Sequence, residues 1–193
     1  MVHILEMEEY AKKNNIPIMM SDGIEFLEHF IKENNIKNIL EIGTAIGYSA
    51  IKMALISEDI YITTIERDEE RYNEAIKNIK KMDLGNQINV ILDDAFNIDM
   101  DFKFDLIFID AAKAQYIKFF EKFKKNLKDD GVIISDNLKF HGLVDSEEKI
   151  ESRNVRGLVR KIKDYNKFLQ ENKEFKTTFV DIGDGIAISE RRN

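Results

Sequence analysis

The chain has 193 residues, 44% of them hydrophobic, enough for one domain with a full core. It contains no cysteine, which excludes disulfides, thiolate metal sites and a cysteine nucleophile, and His3, His29 and His141 are too scattered to read as a metal cluster, so oxygen ligands remain. A net charge of −7 argues against a protein that coats nucleic acid through its overall field, and the lack of a secretory leader or a bilayer-length apolar run makes a soluble, cytoplasmic protein the expectation.

The start of the chain reads as a helix broken at Ile16-Pro17-Ile18-Met19, because a residue before proline is pushed away from helical geometry. A second helix follows from about Asp22 to Glu33. Short apolar runs then recur from Ile39 to Ile42, Ile60 to Ile65, Ile88 to Leu92, Phe104 to Ile109 and Val132 to Ile134, separated by segments of helical spacing. That alternation is the pattern of an α/β fold. Asp68 is placed to cap a helix through Tyr72, Ile76 and Ile79 that ends near Gly85, and Ala114 to Leu127 reads as a helix stopping before Gly131. The C-terminal third reads as an amphipathic helix from about Val155 to Leu169, then a β-hairpin of Thr177 to Asp181 and Ile186 to Ser189 around Gly183-Asp184-Gly185. No repeat, low-complexity tract or linker divides the chain, so a single domain over residues 1–193 is expected.

Two of the apolar runs end in oxygen donors: Asp110 after Phe104 to Ile109, and Asp136-Asn137 after Val132 to Ser135. In a parallel sheet such ends share the edge where ligands bind, and two carboxylates with an amide suit a hard cation such as magnesium. Upstream, Gly43-x-x-x-Gly47 follows another run, with Ala45 where a dinucleotide loop has its second glycine, which disfavours a pyrophosphate. Gly43 permits a tight turn, and the start of the following helix, with Ser49, is placed to hold a carboxylate. Glu66, closing the next run, is placed to accept from two ribose hydroxyls. S-adenosylmethionine carries both groups. The plainer alternative is that Gly43 and Gly47 only make a strand-to-helix turn and Glu66 is a solvated strand end.

Taken in order, Leu40-Glu41-Ile42-Gly43-Thr44-Ala45-Ile46-Gly47-Tyr48-Ser49, Asp110-Ala111-Ala112-Lys113 and Asp136-Asn137 resemble the magnesium-dependent O-methyltransferases that include the catechol and caffeoyl-coenzyme A enzymes. The likeness runs from Ile16 onward. Within that family Ile16 to Met19, Phe108 to Tyr116 and Gly183 to Ser189 look most similar to the bacterial tRNA 5-hydroxyuridine methyltransferases. The resemblance implies a class I methyltransferase, Rossmann-like fold: a seven-stranded, mostly parallel sheet with an antiparallel last strand and helices on both faces. It implies that Met19, Gly43, Ser49, Glu66, Asp94 and Asp110 contact S-adenosylmethionine, with Asp94 beside the adenine, and that Asp110, Asp136 and Asn137 bind Mg2+. Lys113 matches the lysine thought to act as base in the catechol enzymes, and with Asp110 forms the expected catalytic pair; a plain surface lysine is the alternative. For Met19 the alternative is a core residue.

The expected reaction is formation of 5-methoxyuridine at the wobble position of tRNA, with a small-molecule catechol or caffeoyl-coenzyme A type of acceptor as the alternative. A non-catalytic S-adenosylmethionine-binding module would not need three metal ligands. The basic run Arg153, Arg156, Arg160, Lys161 and Lys163 reads as a surface for tRNA phosphates or, equally simply, as a solvated helix face. Asn154, Val155 and Gly157 make that run less dense than in the tRNA enzymes. The resemblance also implies a homodimer, and the chain starts short of a leading helix that many family members carry.

Overall fold

The structure, a computed structural model, describes residues 2–146 and 150–192. Its seven strands are β1 (Asn38–Ile42), β2 (Tyr61–Glu66), β3 (Ile88–Leu92), β4 (Phe104–Ile109), β5 (Leu127–Ser135), β6 (Phe175–Val180) and β7 (Ile186–Arg191). They form one sheet in the order β3-β2-β1-β4-β5-β7-β6, in which β1 to β5 run parallel and β7 is antiparallel to both its neighbours. The seven strands and the reversed last one are as the sequence predicts.

The helices are α1 (Val2–Lys13), α2 (Ser21–Glu33), α3 (Tyr48–Ala54), α4 (Glu69–Lys81), α5 (Tyr116–Phe123) and α6 (Arg153–Glu171). Successive strand residues point to opposite faces, so the isoleucine-rich strands feed two cores at once. Ile39, Ile62, Leu106, Phe108, Val132 and Ile134 pack with Leu27 and Ile31 of α2, Ile51 of α3 and Ile79 of α4. Leu40, Ile42, Ile65, Ile107, Ile109 and Ile133 pack with Phe120 and Phe123 of α5 and Tyr165 and Leu169 of α6. Each such fully buried side chain contributes roughly 1.5–3 kcal/mol. Helices α1 to α4 thus cover one face and α5 and α6 the other. The change of face falls between β1 and β4, and the crevice above those two strand ends is where doubly wound sheets bind ligands.

Asp68 caps α4, accepting from Arg71 N at 2.9 Å, with Glu69 and Glu70 in the first turn and Lys80 and Lys81 in the last, as the helix dipole favours. The left-handed residue that closes this helix is Asp83, with φ 57°, rather than Gly85. The helix expected over Ala114 to Leu127 is shorter than predicted. Lys113–Gln115 and Lys124–Asn126 are 3-10 turns on either side of α5, and Leu127 opens β5 opposite Phe104. Asn126 ends the helical run by donating its amide to the carbonyls of Met100 and Phe102, 2.6 and 3.1 Å away. Gly131 is no helix stop but a crowded strand position, where a Cβ would stand 2.8 Å from Leu127 Cδ1. Among the described residues no helix is long and apolar enough to cross a membrane.

Candidate active site

At the end of β1 the chain turns at Gly43, with φ 105°, and a Cβ there would stand 2.2 Å from the carbonyl oxygen of Asp110. Only glycine permits that approach. Ala45 and Gly47 follow in left-handed geometry, with φ 48° and 82°, a conformation that glycine adopts more readily than alanine. The turn is locked by Glu66 at the end of β2. Its Oε2 accepts from Ala45 N at 2.8 Å, and its Oε1 from Arg67 N and Asp68 N, both at 2.9 Å. Oε1 is thereby saturated, while Oε2 still has a lone pair to offer a hydroxyl.

Above these strand ends lies a cavity of about 320 Å³. Met19, Gly43, Ser49, Glu66, Asp94, Asp110, Lys113 and Asn137 all line it, so residues spread from position 19 to 137 share one wall. Met19 serves the core as well, being buried against α2. Asp94 is oriented by Phe96 N, which donates to its Oδ1 at 2.9 Å. Sequence reasoning passed over Phe96, Phe119, Arg67, Arg71 and Gln115, which line the same cavity. Phe96 and Phe119 stack with ring centroids 4.8 Å apart and offer an apolar face next to Asp94. Phe96 follows Asp94 closely in sequence, and an aromatic beside a strand-end acid was the available signal.

Asp110 and Asp136 follow directly on β4 and β5, whose ends lie side by side. Burial pushes the Asp110 carboxyl above the usual carboxylate range, Lys113 pulls it partly back, and Asp184 pushes it up again. Asp136 is raised by burial first and by the charge of Asp110 second, against the Asn137 N–H and Lys113. Asn137 sits in left-handed geometry, φ 66°, and its Nδ2 donates to Asp136 Oδ2 at 2.6 Å, which leaves the amide oxygen as the atom able to accept a cation. Two mutually repelling carboxylates and an amide oxygen form a donor set that suits a hard divalent cation.

The loop carrying these donors is braced from behind by the β6–β7 turn. Leu138 N donates to Gly185 O at 3.0 Å and Lys139 N to Asp184 O at 2.8 Å, while the same turn reaches α2 through Gly183 N and Asp22 Oδ2 at 3.0 Å.

Two of the expected site residues have internal partners in the structure. Ser49 lines the cavity, but its Oγ lies 2.5 Å from Oε1 of the buried Glu41, and α3, seven residues long, is too short for its dipole to make an anion site. Of the basic run, Arg153, Arg156, Arg160, Lys161 and Lys163 are all exposed on α6, yet Arg156 is occupied internally: its Nη1 donates to the carbonyls of Ile150 and Glu151, at 2.7 and 2.6 Å.

A family model described as O-methyltransferase matches residues 2–192. The caffeoyl-CoA O-methyltransferase of Populus kitakamiensis is 31% identical, over 95% of this chain and 82% of its own. The flavonoid 3',5'-methyltransferase of Vitis vinifera is 29% identical, over 97% of this chain and 83% of its own. Among solved structures, a Staphylococcus aureus protein provisionally assigned as a caffeoyl-CoA O-methyltransferase superimposes with a TM-score of 0.92 at 43% identity, covering 98% of this chain and 92% of that one. An O-methyltransferase from Bacillus cereus, solved with S-adenosylhomocysteine, gives 0.82 at 25% identity, covering 100% and 91%. With its strand order, its glycine turn and a match over nearly its whole length, the chain belongs to the O-methyltransferase family, enzymes that use S-adenosylmethionine.

Proposed function

We propose that this chain methylates a hydroxyl of a small catechol-type acceptor, of the caffeoyl-coenzyme A class, with S-adenosylmethionine and Mg2+. The observation that carries this is the continuity of one cavity, from Glu66, Asp94 and Phe96 at one end to Asp110, Lys113 and Asn137 at the other. S-adenosylmethionine supplies a methyl group and leaves as a neutral thioether, and Mg2+ supplies charge that favours an ionised hydroxyl. The residues do the rest. Glu66 Oε2 accepts from a ribose hydroxyl, Asp94 and Phe96 flank the adenine, and Asp110, Asp136 and Asn137 hold the cation. Lys113 Nζ is the group that takes the acceptor's proton. The substrates for which the relatives are named, caffeoyl-CoA and flavonoids, support a small acceptor over the tRNA expected from sequence.

One observation keeps tRNA as a second reading: α6 follows the loop after β5 and exposes Arg153, Arg160, Lys161 and Lys163 to solvent. The two readings separate when purified protein is offered caffeoyl-coenzyme A, free catechols and 5-hydroxyuridine-containing tRNA side by side, with Mg2+ and labelled cofactor. Label in the small acceptors is the expected result; label confined to tRNA overturns the proposal. If tRNA is the substrate, neutralising Arg153 and Arg160 flattens the salt dependence of its binding.

A further inference from the structure

One buried ionisable group has no part in the chemistry above. Glu41, in β1, is wholly buried beneath the cavity wall, and its carboxyl meets only hydroxyls. Its Oε1 lies 2.5 Å from Ser49 Oγ, its Oε2 2.5 Å from Thr64 Oγ1, and Thr64 Oγ1 lies 2.6 Å from Thr44 Oγ1. Among the described residues no cation pairs with it. The charged groups facing it are Asp110 after β4 and Glu66 on β2, both acidic, while on α3 Lys52 pairs with Glu28 and Tyr48 donates to Glu8. Burial, and then the charges of Asp110 and Glu66, outweigh the two hydroxyls and push this acid up to about 8.

Counting protons along the chain of hydroxyls gives one arrangement for the ionised acid and two for the neutral one; a proton on Oε2 passes inward to Thr64 and Thr44, and a proton on Oε1 is the arrangement that reaches Ser49. With Glu41 ionised, Ser49 and Thr64 both donate to it, so Ser49 spends its single proton inward and shows the cavity only lone pairs. With a proton on Oε1, Glu41 donates to Ser49 Oγ, Thr64 still donates to Oε2, and Thr44 donates to Thr64. Ser49 then has its own O–H free for the cavity it lines.

We propose that Glu41 is a positioning residue that works by holding a proton: its neutral form makes Ser49 a hydrogen-bond donor to the carboxylate of the bound cofactor, and its ionisation withdraws that donor. The inference rests on the S-adenosylmethionine reading of the cavity. It assigns Ser49's carboxylate contact to the protonation of Glu41 rather than to the helix end.

Calorimetry with S-adenosylhomocysteine tests it, from about pH 6.5 to 9.5, on wild type, Glu41→Gln and Ser49→Ala. In the Glu41→Gln variant a side-chain amide donates to Ser49 permanently, and the ligand's own amine titrates identically in every protein. The ratio of the wild-type to the Glu41→Gln dissociation constant is expected to rise roughly tenfold across the range, the worth of one hydrogen bond to a charged group with the repulsion that replaces it. Ser49→Ala is expected to bind roughly tenfold more weakly at low pH and to show a reduced pH dependence. Parallel wild-type and Glu41→Gln curves overturn the proposal. Should Glu41→Gln fail to fold, an unchanged pH dependence in Ser49→Ala overturns it instead. Absence of wild-type binding at every pH overturns the cofactor reading itself, a distinct result.

Discussion

Gly43 and Asp110 touch through their backbones: a single methyl on Gly43 would collide with the Asp110 carbonyl at 2.2 Å. The glycine turn at the cavity is therefore packed on the strand end that carries Asp110, the first of the proposed cation ligands, and neither shifts without the other.

Gly43→Ala is accordingly expected to damage both functions together. The left-handed φ of 105° adds strain of about 1–3 kcal/mol to the collision. S-adenosylhomocysteine affinity and the Mg2+-induced rise in melting temperature should both fall, by tenfold or more in the case of affinity. Normal metal response with lost cofactor binding would show that the two ends are independent.

Asp136→Asn removes one of two repelling carboxylates. Without metal, the variant is expected to be at least as stable as wild type in thermal unfolding, because Asp110 loses the negative neighbour that burial made costly. With metal, turnover should fall by a hundredfold or more, and added Mg2+ should no longer raise the melting temperature. Full wild-type activity in excess chelator would remove the cation from the mechanism.

Lys113→Ala is expected to lower kcat by about 10²–10⁴, with little change in S-adenosylhomocysteine affinity, if Nζ takes the acceptor proton. Steady-state rates against pH check this. An unaltered profile would leave Lys113 only its charge beside Asp110 and Asp136.

Stability should also follow the titration of Glu41. Its pKa in the folded protein, about 8, lies above the ordinary 4.5, so its proton stabilises the fold fully below 4.5, and that stability is lost as pH rises through 8. Asp110 and Asp136 shift in the same direction, so the useful quantity is the difference between wild type and Glu41→Gln. In urea unfolding with chelator present, wild type is expected to lose roughly 1 kcal/mol per pH unit relative to the variant across that window. Equal slopes would place the Glu41 titration elsewhere.

The strands were legible because a sheet buried on both faces must be written as short isoleucine-rich runs, and the donors because oxygen side chains break such runs at their ends. Asp110 after Ile109, Asp136 after Ser135 and Glu66 closing β2 are all of this kind. What escaped was decided by contacts between distant residues. Leu127 carries a helix-like pattern but joins β5 because Asn126 is held by Met100 and Phe102. Arg156 belongs to a basic run yet bonds to Ile150 and Glu151. Glu41 looked like an unremarked letter of the glycine motif, and its buried surroundings became visible only once Thr64 and Ser49 were folded against it.

The brace behind Asn137 bears on the order of assembly. Gly183 meets Asp22, and Asp184 and Gly185 meet Lys139 and Leu138, so the last hairpin of the chain closes contacts with its first quarter and with the donor loop. Such closures span long sequence separations and form late in folding. During synthesis, the earlier strands can collapse on their helices while the donor loop still lacks its support, and the site is completed only after β7 has emerged and inserted between β5 and β6.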